Sequence, residues 1–147
     1  MSKPVVVKLT EESFKDFVLS YYFSGNAKPP EYHQVYFLDT SHSYAILDEN
    51  EKMIGAFGIV MVWHGVGEVW FMSTEYLNRY PKWQVKTFKH LTDLVLNEGV
   101  LHRVQMNVDN ENVNHHKWAQ MMGFEFEGVQ RKHSAAGTDH ASYAKIS

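Results

Sequence analysis

A basic stretch of the chain, YLNRYPKWQVKTFKHL at residues 76–91, lies where a predicted strand passes into a predicted helix. Cations in front of a helix favour an anion site, because oriented N–H groups and the helix dipole attract negative charge. Arg79, Lys82 and Lys86 could make charge-assisted contacts with phosphate. However, the stretch contains no glycine, and Pro81 removes one N–H donor. A helix N-terminus started by proline is therefore the alternative interpretation.

Two adjacent histidines, His115 and His116, are a second candidate for chemistry. Neighbouring side chains on a helix point about 100° apart, so this pair cannot bind one metal ion from a single face. The His-x-x-x-His spacing is absent, and the sequence predicts no metal site. His115 could act as a base or contact a substrate. The alternative is a partly buried, hydrogen-bonded histidine.

Composition narrows the class of protein. The chain has 147 residues, 44% of them hydrophobic, which suits one domain over residues 1–147. A net charge of −3 without a basic stripe argues against a nucleic-acid partner. The lack of cysteine excludes disulfides, thiolate metal sites and a cysteine nucleophile. Because no apolar run suits a signal peptide or a membrane span, we expect a cytoplasmic protein with no membrane partner.

Alternating strand-like and helix-like runs must position these residues. The runs typical of strands are PVVVKL, EVWFMST, HRVQMNV, FEFEGVQRKH and HASYAKI. The segment SYAILDENEKMIGAFGIVMVW predicts a strand, a turn at Asp48-Glu49-Asn50-Glu51 and a longer strand. Helices are predicted after Thr10, from Pro81 until just before Gly99, and over DNENVNHHKWAQMMG, which ends at Gly123. The order predicts an α/β domain with a mostly antiparallel sheet and helices on its faces.

The segment NENVNHHKWAQMMGFEFEG, residues 110–128, carries the most specific pattern. Its polar start, short helix and Gly-Phe before a strand resemble the GNAT acetyltransferase superfamily, with Asn112, Gly123 and Phe124 at matching positions. Gly128 also lies where many members have glycine. The order of elements is similar to the GNAT layout over residues 4–146. The resemblance implies a GNAT-like α/β (α+β) fold with a mixed, mostly antiparallel central sheet of six to seven strands flanked by helices.

A narrower resemblance is to a phage branch of that superfamily. The stretches IGAFGIV, VWFMST and Asn-x-x-His-x-Lys-Trp are similar to the GNAT-like internal virion protein A family of short-tailed phages. This resemblance implies phage virion proteins as partners, in a host cytoplasm or a virion.

The GNAT resemblance also bears on the basic stretch. In GNAT proteins this loop reads Arg/Gln-x-x-Gly-x-Gly/Ala, and its N–H groups hold the pyrophosphate of acetyl-CoA. Arg79 takes the Arg position here, whereas Lys82 and Gln84 fall where the two glycines belong. The resemblance thus implies acetyl-CoA, or another acyl-CoA, as co-substrate. The implied contacts with it include Arg79, Lys82, Trp83, Gln84 and Asn112.

The strand before the loop has two further implied roles. Its backbone at Phe71, Met72, Ser73 and Thr74 would pair with the pantetheine arm and polarise the thioester carbonyl. Glu68, at the start of the same strand, resembles the general base of several GNAT branches. The alternative for Glu68 is an exposed acid at a strand end.

The general acid of the superfamily is missing from its usual position. The tyrosine that normally lies five residues before the Phe of Gly-Phe is replaced by Ala119. Tyr143 is only a formal candidate to take its place. With Glu68 and His115 as candidate catalytic residues, the resemblance implies an N-acyltransferase acting on an unidentified primary amine. The alternative is an inactive GNAT-fold phage protein that acts through protein contacts in virion assembly. A homodimer is common in the superfamily.

The alternative function would need a partner surface. Aromatic residues in the N-terminal half could supply it, or could belong to the core: Tyr21, Tyr22, Phe23, Tyr32, Tyr36 and Phe37.

Overall fold

Seven strands form one sheet in the computed structural model, in the order β1-β2-β3-β4-β5-β7-β6. The structure describes residues 3–14, 16–17 and 42–147. The strands are β1 Val5–Lys8, β2 Ser43–Leu47, β3 Met53–Trp63, β4 Val66–Ser73, β5 Arg103–Asp109, β6 Glu125–Gln130 and β7 His140–Ile146. Helix α1 covers Pro81–Asn97, helix α2 covers Val113–Met121, and a 3₁₀ turn covers Leu77–Arg79. Residues 11–14 and 16–17 are also helical.

Strand pairing confirms the predicted α/β architecture with a mostly antiparallel sheet. β1 and β2, β2 and β3, β5 and β7, and β6 and β7 pair antiparallel, whereas β4 and β5 are parallel. β4 begins at Val66, earlier than the predicted run EVWFMST, because His64 and Gly65 make the turn. None of the described helices is long and apolar enough to cross a membrane.

The chain divides into two compact units, and the first comprises Met1–Val60 and Trp70–Pro81. Its described core contains Leu9, Phe14, Phe17, Ala45, Ala56, Trp70 and Met72. The Ser13 N–H donates to Thr10 Oγ1 at 3.1 Å, so Thr10 caps the helix predicted to follow it. The predicted partner surface, from Tyr21 to Phe37, lies outside the described residues.

The second unit comprises Met61–Val69 and Lys82–Ser147. On β7, the Lys145 ammonium donates to Thr92 Oγ1 of α1 and to the Met122 carbonyl just after α2. Both helices therefore pack on the face of β5 and β7 that contains Lys145. The buried residues of that face are Val104, Met106, Val108, Ala141 and Tyr143. A single domain over residues 1–147 stays a prediction.

The predicted ends of helices α1 and α2 are observed in the structure. α1 begins at Pro81, whose fixed φ suits a first helical position. Gly99 follows its end with φ +75°, and its N–H donates to the Leu96 carbonyl at 3.2 Å. α2 is capped by Asn112, whose side chain accepts the His115 N–H at 3.0 Å. Local sequence signals therefore located both helices.

Candidate functional site

Glu68 lies at the end of the short ladder between the two parallel strands. The ladder pairs Val66 with Arg103, Gly67 with Val104, and Glu68 with Gln105. Its start is fixed by the preceding turn, because the Gly65 carbonyl accepts the N–H groups of His102 at 2.8 Å and Arg103 at 3.2 Å. This register places Glu68 on the same face of the sheet as Gln105.

Polar side chains continue from Glu68 across β5 and β7. Because side chains alternate along a strand, Arg103, Gln105 and Asn107 share the face opposite the helices. Asn107 pairs with Ser142 of β7, which adds a hydroxyl to that face. We refer to Glu68, Arg103, Gln105, Asn107, Glu127 and Ser142 as the polar face.

Hydrogen bonds connect the polar face around the Glu68 carboxylate. Its Oε1 accepts the side-chain amides of Gln105 and Asn107, both at 3.4 Å. Asn107 Oδ1 in turn accepts the Ser142 hydroxyl at 2.9 Å. Within residues 42–147 no cation pairs with Glu68, so its second oxygen is open to a further donor.

A β-bulge brings a second carboxylate to the polar face. The register of β6 against β7 shifts between Phe126 and Gly128, and Gly128 has φ +142°. Phe126 packs on Tyr143 of the helix side, with 5.6 Å between ring centroids. Glu127 is the extra residue of the bulge and reaches Arg103 on the opposite side.

Glu127 and Arg103 form a bidentate ion pair. Arg103 donates through its two terminal nitrogens to the Glu127 oxygens at 3.0 and 2.5 Å, and through Nε to Gln105 Oε1 at 2.9 Å. The hydrogen bond from Arg103 is the main cause of a Glu127 pKa below its ordinary value, and the same bond raises the pKa of Arg103. Each group therefore neutralises the other.

A cavity of about 290 Å³ opens on the polar face. Its polar lining comes from Arg103, Gln105, Asn107, Glu127, Gln130 and Ser142. Glu68 lies one hydrogen bond beyond this lining, since the two amides that contact it belong to the cavity wall. The cavity therefore presents amide and hydroxyl groups that can form hydrogen bonds, and Glu68 adds a carboxylate beside its wall.

The first unit holds a separate pair of cations. The Lys52 ammonium lies 4.7 Å from the centroid of the Tyr76 ring, and the Arg79 guanidinium carbon lies 5.6 Å from it. Lys52 is positioned by the predicted turn, in which Asp48 Oδ1 accepts the N–H groups of Asn50 and Lys52. Neither cation has a carboxylate partner in the described part of the chain. The pair is suited to an anion.

The structure assigns a local role to part of the predicted pantetheine strand. Met72 belongs to the core and is 7% exposed. The Thr74 N–H donates to the Ile54 carbonyl at 3.1 Å, and the Thr74 hydroxyl donates to the same oxygen at 2.7 Å. The Thr74 N–H is therefore already used. Cofactor contacts by Phe71, Met72, Ser73 and Thr74 stay predictions.

The residues at the two missing glycines differ in exposure. Lys82 is exposed on the first turn of α1, and Trp83 is half-buried. Gln84 is only 7% exposed, so little of its side chain is accessible to a ligand. Contacts of Arg79, Lys82, Trp83 and Gln84 with a cofactor stay predictions.

The two candidate site residues at the start of α2 are Asn112 and His115. Asn112 forms the helix cap with the His115 N–H, and the His115 side chain is exposed. The catalytic role of His115 and the cofactor role of Asn112 stay predictions. Ala119, in place of the usual tyrosine, is fully buried.

Sequence reasoning missed the histidine that makes buried contacts. His116 Nε2 lies 2.8 Å from the Asn110 carbonyl and must donate to it, so in the neutral ring Nδ1 accepts the Tyr143 hydroxyl at 2.6 Å. Tyr143 is 1% exposed. Since β7 is distant from α2 in sequence, no local signal could have revealed this pair.

Comparisons with solved structures identify the fold. No protein-family model and no curated protein sequence matches the chain. A mutant spermidine N-acetyltransferase (SpeG) from Vibrio cholerae superposes with a TM-score of 0.75 at 13% identity, covering 97% of this chain and 94% of that one. A ribosomal-protein-S5-alanine acetyltransferase from Vibrio fischeri gives a TM-score of 0.76 at 16% identity, covering 99% of this chain and 94% of that one.

The chain has the GNAT fold. At these identities the likeness shows the GNAT fold alone. The phage branch, a homodimer and a cytoplasmic location stay predictions.

Proposed function

We propose that the protein is an N-acyltransferase that transfers an acetyl or other acyl group from acyl-CoA to a primary amine. The observation that carries this proposal is the position of Glu68. It is a carboxylate without a cation partner among the described residues, surrounded by polar side chains at the end of the parallel ladder of a GNAT fold. The structural neighbours support the reaction class, since those reported above are named as acetyltransferases.

Glu68 would act as the general base. An ammonium cannot attack a thioester, so a proton must leave the nitrogen before the new C–N bond forms. Glu68 would take that proton first, and the free amine would then attack the thioester carbonyl. As the C–N bond forms and the C–S bond breaks, the nitrogen would lose its second proton to solvent, giving an amide and the thiolate of CoA. Gln105 and Asn107 would orient the carboxylate through Oε1 and leave its other oxygen for the amine. Their role is positioning.

The CoA sulfur would take its proton from solvent. Ala119, at the usual acid position, has no titratable group and is fully buried. Tyr143 is also buried, and its hydroxyl is bonded to His116. We therefore assign no side chain as general acid, and we expect acyl transfer to be slower than in an enzyme with a positioned acid.

Arg79 and Lys52 would bind the phosphates of acyl-CoA through their side chains. Both are cations without a carboxylate partner among the described residues, and both contact the Tyr76 ring. A side-chain site of this kind would compensate for the missing glycines of the loop. Acyl-CoA supplies the activated acyl group for the reaction.

The test of the proposal is release of CoA from acetyl-CoA in the presence of an amine panel. Because the protein has no cysteine, a thiol-reactive chromogenic reagent detects CoA without background from the protein. Glu68→Gln should reduce kcat by about 10²–10⁴-fold. Glu98→Gln removes the same charge from an exposed residue just after α1, and it should leave kcat unaltered. Wild-type activity in Glu68→Gln would overturn the assignment of the base.

Calorimetric titration with acetyl-CoA tests the cofactor separately. Binding that weakens about tenfold in Lys52→Ala or Arg79→Ala would support the side-chain phosphate site, since one charge-assisted contact is worth about 1.5 kcal/mol or more. No binding by the folded wild-type protein would overturn the acyltransferase proposal.

A second candidate function is a non-catalytic role in protein contacts. The observation that favours it is the start of α1, where Pro81 takes the first position and the Gln84 side chain is buried. Both features suit a helix N-terminus better than a phosphate loop. This candidate predicts neither acetyl-CoA binding nor CoA release.

A further inference from the structure

We propose that the cavity on the polar face binds a small hydroxylated amine with a single ammonium group, of the amino-sugar type. As an acyl acceptor, this ligand rests on the proposed function. As a bound molecule, it rests only on the cavity and its charges.

The charges around the cavity provide for one ammonium. Arg103 of β5 and Glu127 of β6 line the cavity, and Glu68 of β4 lies one hydrogen bond beyond its wall. Arg103 and Glu127 neutralise each other through a bidentate pair at 3.0 and 2.5 Å. Glu68 is left with one negative charge, no cation partner within residues 42–147, and one open oxygen. One ammonium satisfies this charge.

The remaining polar lining is neutral and suited to hydroxyl groups. Gln105 and Asn107 each use one amide hydrogen on Glu68, and each has a second to donate. Ser142 and Gln130 add a hydroxyl and a further amide. Amides and hydroxyls both donate and accept, as vicinal hydroxyls of a ligand require. An apolar amine would leave these groups without partners.

The same features exclude two other classes of amine. A polyamine carries several ammonium groups, and Glu68, just beyond the cavity wall, is the one carboxylate of the described polar face without a cation partner. An amino acid would need a free cation for its carboxylate, and the charge of Arg103 is already balanced by the bidentate pair with Glu127. A volume of about 290 Å³ is at the small end of ligand sites, which run from about 300 Å³, and favours a molecule of monosaccharide size.

Ligand-observed NMR and calorimetry on the full chain without acyl-CoA would test the proposal with four probes. Glucosamine carries one ammonium and several hydroxyls; glucose lacks the ammonium; cyclohexylamine lacks the hydroxyls; spermidine carries three amines. We expect glucosamine to bind about tenfold or more tightly than each of the others, since a charged hydrogen bond is worth at least about 1.5 kcal/mol. Equal or tighter binding of cyclohexylamine or spermidine would overturn the proposal.

Three variants locate the binding site. Glu68→Gln should remove the preference for glucosamine over glucose, whereas Glu98→Gln, on the exposed loop after α1, should preserve it. Ser142→Ala should weaken glucosamine several-fold, because it removes a hydroxyl contact with the ligand and the hydrogen bond to Asn107, and it should leave cyclohexylamine unaltered. Retention of the glucosamine preference in both Glu68→Gln and Ser142→Ala would place the site elsewhere and overturn the proposal.

Binding and transfer can fail independently. If glucosamine binds as expected but acetyl-CoA gives no heat, the cavity assignment stands and the acyltransferase proposal fails. If acetyl-CoA binds and spermidine is acylated in preference to glucosamine, the reaction stands and the acceptor class is wrong.

Discussion

The two faces of strands β5 and β7 are built from alternating residues and have opposite character. On the helix side, Lys145 donates to Thr92 and to the Met122 carbonyl, and its ammonium lies 2.6 Å from an Asp93 oxygen. On the polar face, Glu68 is held by two long hydrogen bonds and has no cation partner among the described residues. The helix side contains a charge with its partners in place. The polar face contains a carboxylate, Glu68, without a cation partner among the described residues.

The pKa values express part of this difference. Burial lowers the pKa of Lys145, and the hydrogen bond to Asp93 opposes that effect. Desolvation raises the pKa of Asp93, but hydrogen bonds from Lys145 and Lys89 outweigh it, so the pKa lies below its ordinary value. Charges are thus arranged for stability on the helix side, and we infer that the polar face is arranged for binding. Variants on the two faces should separate these roles.

The largest expected effect on stability comes from Lys145→Met. This change keeps the apolar stem but removes the cation from Asp93, Thr92 and the Met122 carbonyl. We expect a loss of about 2 kcal/mol in the free energy of unfolding, measured by urea denaturation, because one oxygen of Asp93 and the Met122 carbonyl lose their donor. Glucosamine binding by the folded protein should be unaltered.

Lys89→Met is the matched control, since Lys89 contacts the other oxygen of Asp93 at 2.9 Å and is 49% exposed. An exposed pair of this kind should contribute no more than about 0.5 kcal/mol. Equal losses in the two variants would show that burial of Lys145 adds nothing.

Gly123→Ala should have the next largest effect. Gly123 has φ +91°, and an added Cβ would lie 3.2 Å from Lys145 Cε. The backbone cost of about 1–2 kcal/mol should therefore increase by a packing cost against Lys145. Gly99→Ala serves as control because Gly99 has φ +75° and open space around its Cα. Similar stability losses in the two variants, measured by urea denaturation, would contradict the contact with Lys145.

Sequence patterns could predict the features that depend on neighbouring residues. The start of α1 at Pro81, the Asn112 cap and the end of α2 at Gly123 follow from local chemistry. The GNAT fold was implied by the resemblance of residues 110–128 to that superfamily and by the order of elements. Glu68 was also predicted as a candidate base. Its surroundings could not be, because the register that brings Gln105 beside it depends on long-range pairing.

The contacts that sequence reasoning missed also depend on residues that are distant in the sequence. Lys52 reaches Tyr76 from a different strand end, and Glu127 reaches Arg103 only because a bulge turns it to the polar face. A bulge leaves no strong signal in a single sequence beyond a glycine such as Gly128. The sequence could therefore identify Glu68 as a candidate base, whereas the residues around it could be identified only from the pairing of the strands.

A smaller effect is expected for the ion pair on the polar face. A double-mutant cycle with Arg103→Ala and Glu127→Ala should give a coupling energy of about 0.5 kcal/mol, because the side chains are 28% and 38% exposed. The same cycle with Lys145→Met and Asp93→Asn should give a larger value, since Lys145 is only 11% exposed. The reverse order would mean that the polar face, and not the helix side, contributes the main electrostatic stability.

The smallest effect is the response to acid. Asp93 and Glu127 both have pKa values below their ordinary ones in the folded protein, so the stability they contribute is present above about pH 4–4.5 and is lost as the pH falls through their folded values. Between about pH 5 and pH 3 the free energy of unfolding should decrease less in Asp93→Asn and in Glu127→Gln than in the wild type. The difference should be a few tenths of a kcal/mol for each variant, because both side chains are partly exposed. Because the two carboxylates lie on opposite faces and share no partner, their effects should add in the double variant. Urea denaturation at several pH values measures this, and a non-additive result would show that the two faces are coupled through the sheet.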